Sequence, residues 1–141
     1  MNVVDQVLKF VIQHVGWDSL SEAGFRDEET LKQYVAFQML NDNVLFTLDE
    51  QGEITGVLIA YECDEEEAYS AFKWEEPKGK SCIFVAQTAT KDIDSTKLLA
   101  YGFLKKFKDD KTTIAVRRGS YTTMKAHALS RRLISDMEFS L

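Results

Sequence analysis

The side chains in this sequence able to move a proton, hold a metal or attack a carbon centre are few and scattered. The histidines are His14 and His127, the cysteines Cys63 and Cys82, and the carboxylates cluster at Glu62, Asp64, Glu65, Glu66 and Glu67. An imidazole titrates near pH 6.5 and serves as acid or base, but each histidine stands apart from a chemical partner. His14 falls on the polar side of a helical repeat, and His127 lies on an expected helix between Lys125 and Arg131. Cys82 with His127 would make a nucleophile–base couple, yet the run Cys82-Ile83-Phe84-Val85-Ala86 places that thiol in a strand core. Two cysteines build neither a disulfide framework nor a four-cysteine zinc site, so both are expected to pack as small hydrophobes in a reducing cytoplasm. The acidic run lacks the alternation and the glycine of a calcium loop, and no His, Cys and Asp spacing fits a metal. No catalytic residue and no metal ligand is therefore expected. Trp17, Phe72 and Trp74 read as packing or interface residues.

Charge is the stronger signal. The formal net charge is −6, but residues 1–76 hold 17 acids and 4 bases, whereas residues 77–141 hold 6 acids and 13 bases. Ten of those bases fall between Lys97 and Arg132, against Asp109 and Asp110 alone. Arg117, Arg118, Arg131 and Arg132 are the candidates for an anion or partner contact. A chain of pI near 4.9 makes a poor general nucleic-acid binder, because phosphate contact needs a continuous basic footprint. Nucleic acid is the less favoured partner. A protein partner, or a second copy of the chain, suits opposite charges better.

The elements that must position these groups fit one domain, residues 1–141. Apolar residues at 45% and charged residues at 28% match a globular protein. One Pro and seven Gly leave no linker. No apolar run approaches the roughly 20 residues that cross a bilayer, and the start lacks the basic and small-residue segments of a secretory leader. A cytoplasmic protein with no membrane partner is expected.

Val3, Val4, Val7, Leu8, Val11, Ile12 and Val15 repeat at helical spacing up to Gly16. Trp17 to Arg26 reads as a linker anchored by Trp17, Leu20 and Phe25. Asp27 caps a second helix carrying Leu31, Tyr34, Val35 and Gln38, which stops at Asn41-Asp42-Asn43. Val44 to Leu48 and Ile54 to Tyr61 form a hairpin around Asp49-Glu50-Gln51-Gly52, with Gly56 marking a bulge or a close backbone approach. Cys63 to Lys80 reads as a wide acidic loop, and Ser81 to Ala89 as a strand buried on both faces. Asp94 or Ser95 caps the next helix, which runs to Phe107. Thr112 to Val116 is a fourth strand, Gly119-Ser120 a turn and Thr122 to Asp136 the last helix. The fold class is α+β with a mixed sheet and helices on both faces, in the order α-α-β-β-β-α-β-α.

That order resembles the GNAT acyltransferase superfamily. The hairpin Gly52-Glu53-Ile54-Thr55-Gly56-Val57-Leu58 is similar to the family's glycine-containing hairpin, and Leu98-Leu99 falls where the family opens its main helix with an apolar pair. The resemblance implies acetyl-CoA as cofactor, its pantetheine running along Val85 to Ala89, including Val85 and Gln87. Its pyrophosphate would lie on a glycine-rich loop at Lys91, Asp92, Ile93, Asp94 and Ser95. That stretch contains no glycine. Ile93 brings a branched side chain where backbone must approach phosphate, and Asp92 and Asp94 bring like charge. Aligned on Phe139, the family's closing pattern of Asn, Ala, a proton-donating Tyr and Gly meets His127, Ser130, Ile134 and Glu138, so the general acid is absent; Tyr101 and Tyr121 do not fit the pattern. The resemblance thus implies a degenerate member, a non-catalytic interaction or structural protein with no cofactor, of the kind found in bacteriophages and their virions. An active acetyl-CoA-dependent N-acetyltransferase with an atypical loop is the alternative.

Overall fold

The computed structural model describes residues 2–22, 24–68, 77–117 and 120–140, with side chains described for these other than 68, 116, 117, 120 and 134–140. Local signals start the first two long helices. Asn2 accepts the Asp5 amide at 2.8 Å and caps α1 (Val3–Val15), which Gly16 ends at φ 91°, a left-handed backbone that a side chain would strain. Asp27 accepts the Thr30 amide at 2.8 Å and caps α3 (Glu28–Leu40). Trp17 to Arg26 is not wholly a linker, because Trp17–Glu22 forms the short helix α2. Its anchors behave as expected: Leu20 and Phe25 are buried, and Trp17 packs on the same core.

The sheet contains β1 (Val44–Leu48), β2 (Ile54–Cys63), β3 (Cys82–Thr90), β4 (Thr112–Arg117) and β5 (Ser120–Lys125), in spatial order β1-β2-β3-β4-β5. All neighbours are antiparallel except β3 and β4, which are parallel and joined through α5 (Ile93–Lys106). Side chains alternate across the pleat. Val57, Ile59, Tyr61 and Cys63 of β2, with Cys82, Phe84 and Ala86 of β3, meet α1, α2 and α3. Leu58, Ala60, Ile83 and Val85 meet α5 and α6 (Ala126–Ser140) on the other face. Both central strands are therefore apolar on both sides, as their unbroken apolar runs required.

Three readings change. β2 runs on to Cys63, and the acidic stretch after it is not all loop, since Glu65–Ala68 forms the short helix α4. Residues 120–125 form a strand, not a turn and the start of a helix. The ladder Thr112↔Lys125 to Arg117↔Ser120 uses the β-favouring Tyr121, Thr122 and Thr123. The last helix accordingly begins at Ala126.

Gly56 is both things the spacing allowed. The β1–β2 register slips beside it, and an added Cβ would sit 2.8 Å from Thr47 Oγ1 and 3.0 Å from Leu99 Cδ1. The absent side chain lets α5 lie close on the hairpin. Gly56→Ala is expected to lower the unfolding free energy by about 1–3 kcal/mol through overpacking. The measurement is the urea midpoint at constant slope, and an unchanged midpoint would mean that the hairpin yields without cost.

Candidate functional site

The sequence points to the end of β3 and the start of α5, where strand, turn and helix N-terminus could together hold an anion. β3 and β4 pair over only three residues, Ile83↔Thr113, Phe84↔Ile114 and Val85↔Ala115. Beyond these β3 continues to Thr90 and β4 to Arg117, with no further pairing between them among the described residues. Past that pair the carboxyl ends of the two parallel strands are unpaired with each other, a wedge at the place where open α/β sheets bind ligands.

A bulge shapes this edge. Ile59 pairs with Gln87 and Ala60 with Val85, so Ala86 is extra. The added residue reverses the alternation of β3. Gln87, opposite Ile59, joins Ala89 on the side of α1, while Thr90, opposite Gly56, turns toward α5. Val85 lies inside the parallel pairing and is buried beneath α5, so the open edge starts at Ala86. Gln87 is buried, with its side chain on the face away from α5.

The start of α5 is capped by its own sequence. The stretch read as a loop is short: Thr90 ends the strand, and only Lys91 and Asp92 precede the helix at Ile93. The cap is Asp92, not Asp94 or Ser95. Its Oδ1 accepts the Ser95 amide at 2.8 Å, and that bond holds the carboxyl below the usual carboxylate range. The Lys91 amide is also engaged, donating to the Thr55 carbonyl at 2.8 Å. The Lys91 side chain is exposed, Ile93 is half-buried in the first turn, and Asp94 is exposed beside it.

A set of hydroxyls fixes this turn to the hairpin. Ser95 Oγ donates to Thr55 Oγ1 at 2.8 Å, and Thr55 Oγ1 lies 2.9 Å from Thr47 Oγ1. Thr96 Oγ1 lies 2.7 Å from Thr90 Oγ1 and donates to the Asp92 carbonyl at 3.1 Å. Thr55, Ser95 and Thr96 are buried, so their mutual bonds spare the cost of unpaired polar groups. Sequence reasoning missed the threonines. The local signal was the density of small hydroxyls in Thr88-Ala89-Thr90 and Ser95-Thr96, whereas Thr55 is 40 positions from its partner Ser95.

The other candidates do not converge here. Arg117 ends β4 at the tip of the β4–β5 hairpin, and its side chain lies outside the described residues, as does all of Arg118. Arg131 and Arg132 are exposed on α6, which starts from the hairpin's opposite end. His127 stands at the start of α6, where its amide donates to Asp110 Oδ1 at 3.0 Å and its Nδ1 lies 3.8 Å from Asp110 Oδ2. Cys82 faces the other side of the sheet, so the two are not brought together. The side chains of Ile134, Glu138 and Phe139 lie outside the described ones. Ser130 is buried. Tyr101 and Tyr121 are exposed, on α5 and β5.

Of the acidic run, Glu62 pairs with Lys111, Asp64 accepts the Ser81 amide at 3.3 Å, and Glu67 accepts the amides of Asp64 and Lys78 at 2.8 and 2.6 Å. Those amides hold the Glu67 carboxyl below its usual range. Among the described residues no cluster of His, Cys, Asp and Glu has the geometry of a metal site. A recess of about 390 Å³ opens at the amino end of β3, lined by Phe37, Asn43, Tyr61, Glu62, Lys80 and Lys106 among others. It lies at the far end of the sheet from the wedge and was not foreseen.

No family model matches the sequence, and no curated protein is significantly similar to it. Among solved structures, the fold is similar to one described as histone acetyltransferase HPA2 and related acetyltransferase from Corynebacterium glutamicum ATCC 13032. The TM-score is 0.50 at 15% identity, covering 79% of this chain and 70% of that one. The mixed five-stranded sheet with helices on both faces is a GNAT-like fold. Among the described residues no helix is long and apolar enough to cross a membrane.

The cap gives a test with a definite sign. A carboxyl held below its unfolded value contributes stability above that value, about 3.9, and loses it as pH falls through the folded one. Asp92→Ala is expected to cost about 1 kcal/mol near pH 7, while Asp92→Asn, which still accepts the amide, costs little. In urea melts from pH 7 to pH 2, the gap between wild type and Asp92→Ala should shrink below about pH 4. A gap independent of pH would show that the carboxylate is not the cap.

Proposed function

We propose that this chain is a GNAT-fold protein without acyl-CoA chemistry, acting as an interaction or structural module. One observation carries the reading: the Asp92 carboxylate occupies the amide of Ser95 at the start of α5, where a diphosphate would have to bind. To lie there, an anionic cofactor must displace a fixed anion and approach Asp94 as well. Two unit charges about 4 Å apart repel by about 4 kcal/mol at an effective dielectric of 20, and Lys91 offsets part of that. Both the backbone and the charge of the turn work against the cofactor. A bacteriophage virion, or the host cytoplasm, is the setting that the family resemblance implies for such a module.

Charge supports the interaction role. Asp18, Glu22, Asp27, Glu28 and Glu29 lie exposed on or beside α2 and α3, on one side of the sheet. Lys97, Lys105, Arg131 and Arg132 lie exposed on α5 and α6, on the other. A partner with a basic face, or a second copy in head-to-tail contact, is complementary to this arrangement.

The wedge favours a second reading, an acetyl-CoA-dependent N-acetyltransferase using the open edge from Ala86 to Ala89. Thermal melting with 1 mM acetyl-CoA separates the two. Ligand at 100 times its dissociation constant adds about 2.7 kcal/mol to the folded state. A superimposable melting curve is expected, and a shift of several degrees would replace the proposal with the enzymatic reading. Self-association is tested by sedimentation at low and high salt. Reversible assembly that weakens as salt screens the charges is expected for homotypic docking, whereas monomer alone at high concentration and low salt leaves only a heterologous partner.

A further inference from the structure

The two cysteines, 19 positions apart in sequence, are direct partners in the sheet. Cys63 is the last residue of β2 and Cys82 the first of β3, and the antiparallel register sets them opposite one another. Both side chains belong to the core on the α1 face, and Cys82 Sγ donates to the Cys63 carbonyl at 3.2 Å. Directly opposed antiparallel residues have Cα atoms about 4.5–5.5 Å apart and Cβ atoms about as close. A disulfide needs Cα atoms about 4.4–6.8 Å apart and Cβ atoms about 3.5–4.5 Å apart. Closing the bridge needs only a small inward adjustment.

The position of the pair makes that adjustment easy. It sits where both strands end, and β1 stops its pairing at Ile59, so among the described residues no strand pairs with the outer edge of β2 at Cys63. The base of the excursion between the cysteines is already drawn together. Asp64 accepts the Ser81 amide and Glu67 the Lys78 amide, while an added Cβ at Gly79 would overlap the Asp64 carboxylate, at 2.1 Å from Oδ2.

We propose that Cys63 and Cys82 are an oxidation site, closing to an intramolecular disulfide when the folded chain meets a small disulfide oxidant. One thiolate attacks a sulfur of glutathione disulfide and expels one glutathione thiolate. The second protein thiolate then attacks the mixed disulfide and expels the other. Two protein thiols are oxidised, one glutathione disulfide is reduced to two glutathiones, and two protons pass to the departing thiolates. Burial pushes both thiols up, with the carboxylates of Asp64 and Glu67 adding to it. The pair is thus protonated and slow to react in the closed strand end, and opening of that end sets the rate. The bridge ties together both ends of the segment that supplies Lys80 to the 390 Å³ recess, so redox state acts on one wall of that recess.

The test uses the wild-type chain in native buffer with excess glutathione disulfide, followed by intact mass and peptide mapping without reduction. The expected result is a monomer lighter by two hydrogens, a cross-linked peptide pair containing Cys63 and Cys82, and no retained glutathione. Its melting temperature should rise by roughly 5–10 °C and return on adding dithiothreitol. Cys63→Ser and Cys82→Ser should each retain one glutathione or none, and never lose two hydrogens. Two free thiols after prolonged exposure would overturn the proposal. So would a stable mixed disulfide on the wild type, cross-links between chains, or a bridge that forms only in unfolding urea.

Discussion

Everything about the candidate site depends on how the first turn of α5 satisfies its backbone. A helix start presents amides without intrahelical partners, and something must accept from them. In a phosphate-binding turn the ligand does so, and glycines clear the way for it. Here Asp92 accepts from Ser95, and Lys91 donates to the hairpin carbonyl of Thr55. One amide of the helix start is thus taken up by the chain's own carboxylate. The same choice locks the helix to the sheet, because Ser95 and Thr96, fixed by the cap, direct their hydroxyls to Thr55 and Thr90. Gly56 then allows the approach that brings these groups into range. Cap, hydroxyls and glycine together hold the helix start against the hairpin.

The wedge between β3 and β4 is a separate matter. It follows from strand geometry, since parallel pairing stops at Val85 and the extra residue Ala86 redirects the remainder of β3. A bulge of this kind costs ladder bonds and is kept where a strand must be re-aimed. The sheet edge thus ends its parallel pairing beside a turn whose helix start carries its own carboxylate. Shape is a property of the fold, and function is a property of the site. The two are divided here between residues only a few positions apart.

Much of the architecture is legible in the residues because local and global preferences agree. Gly16 and Asp27 delimit helices, the apolar spacing of α1 and α3 identifies their buried faces, and the unbroken run from Cys82 to Ala86 reads correctly as a doubly covered strand. The short elements are not legible. α2 and α4 have six and four residues, too few for a helical period to register. β5 is obscured because Thr122 precedes an apolar-spaced stretch and mimics a helix cap, while the strand's stability comes from pairing with β4. At the site, the lack of glycine and the excess of acid are visible in the sequence. Which acid caps, and that Thr55 and Ser95 meet, are tertiary facts. The pairing of Cys63 with Cys82 is of the same kind, fixed by a register that no local pattern encodes.

The division of charge along the chain acquires a meaning only in three dimensions. Residues 3–40 supply α1, α2 and α3, and residues 93–140 supply α5 and α6, so an asymmetry along the sequence becomes one across the sheet. Two copies stacked face to face about a two-fold axis would bring like faces together, acidic on acidic or basic on basic, which is repulsive. In face-to-face stacking, opposite faces meet in a head-to-tail contact, and such contacts continue into rings or filaments unless a different partner ends them. Side-chain contacts at α5 would add an apolar element, since Leu98 and Tyr101 stand 58% and 68% exposed beside Lys97 and Lys105. The described charges therefore leave an acidic side and a basic side on opposite faces of one sheet.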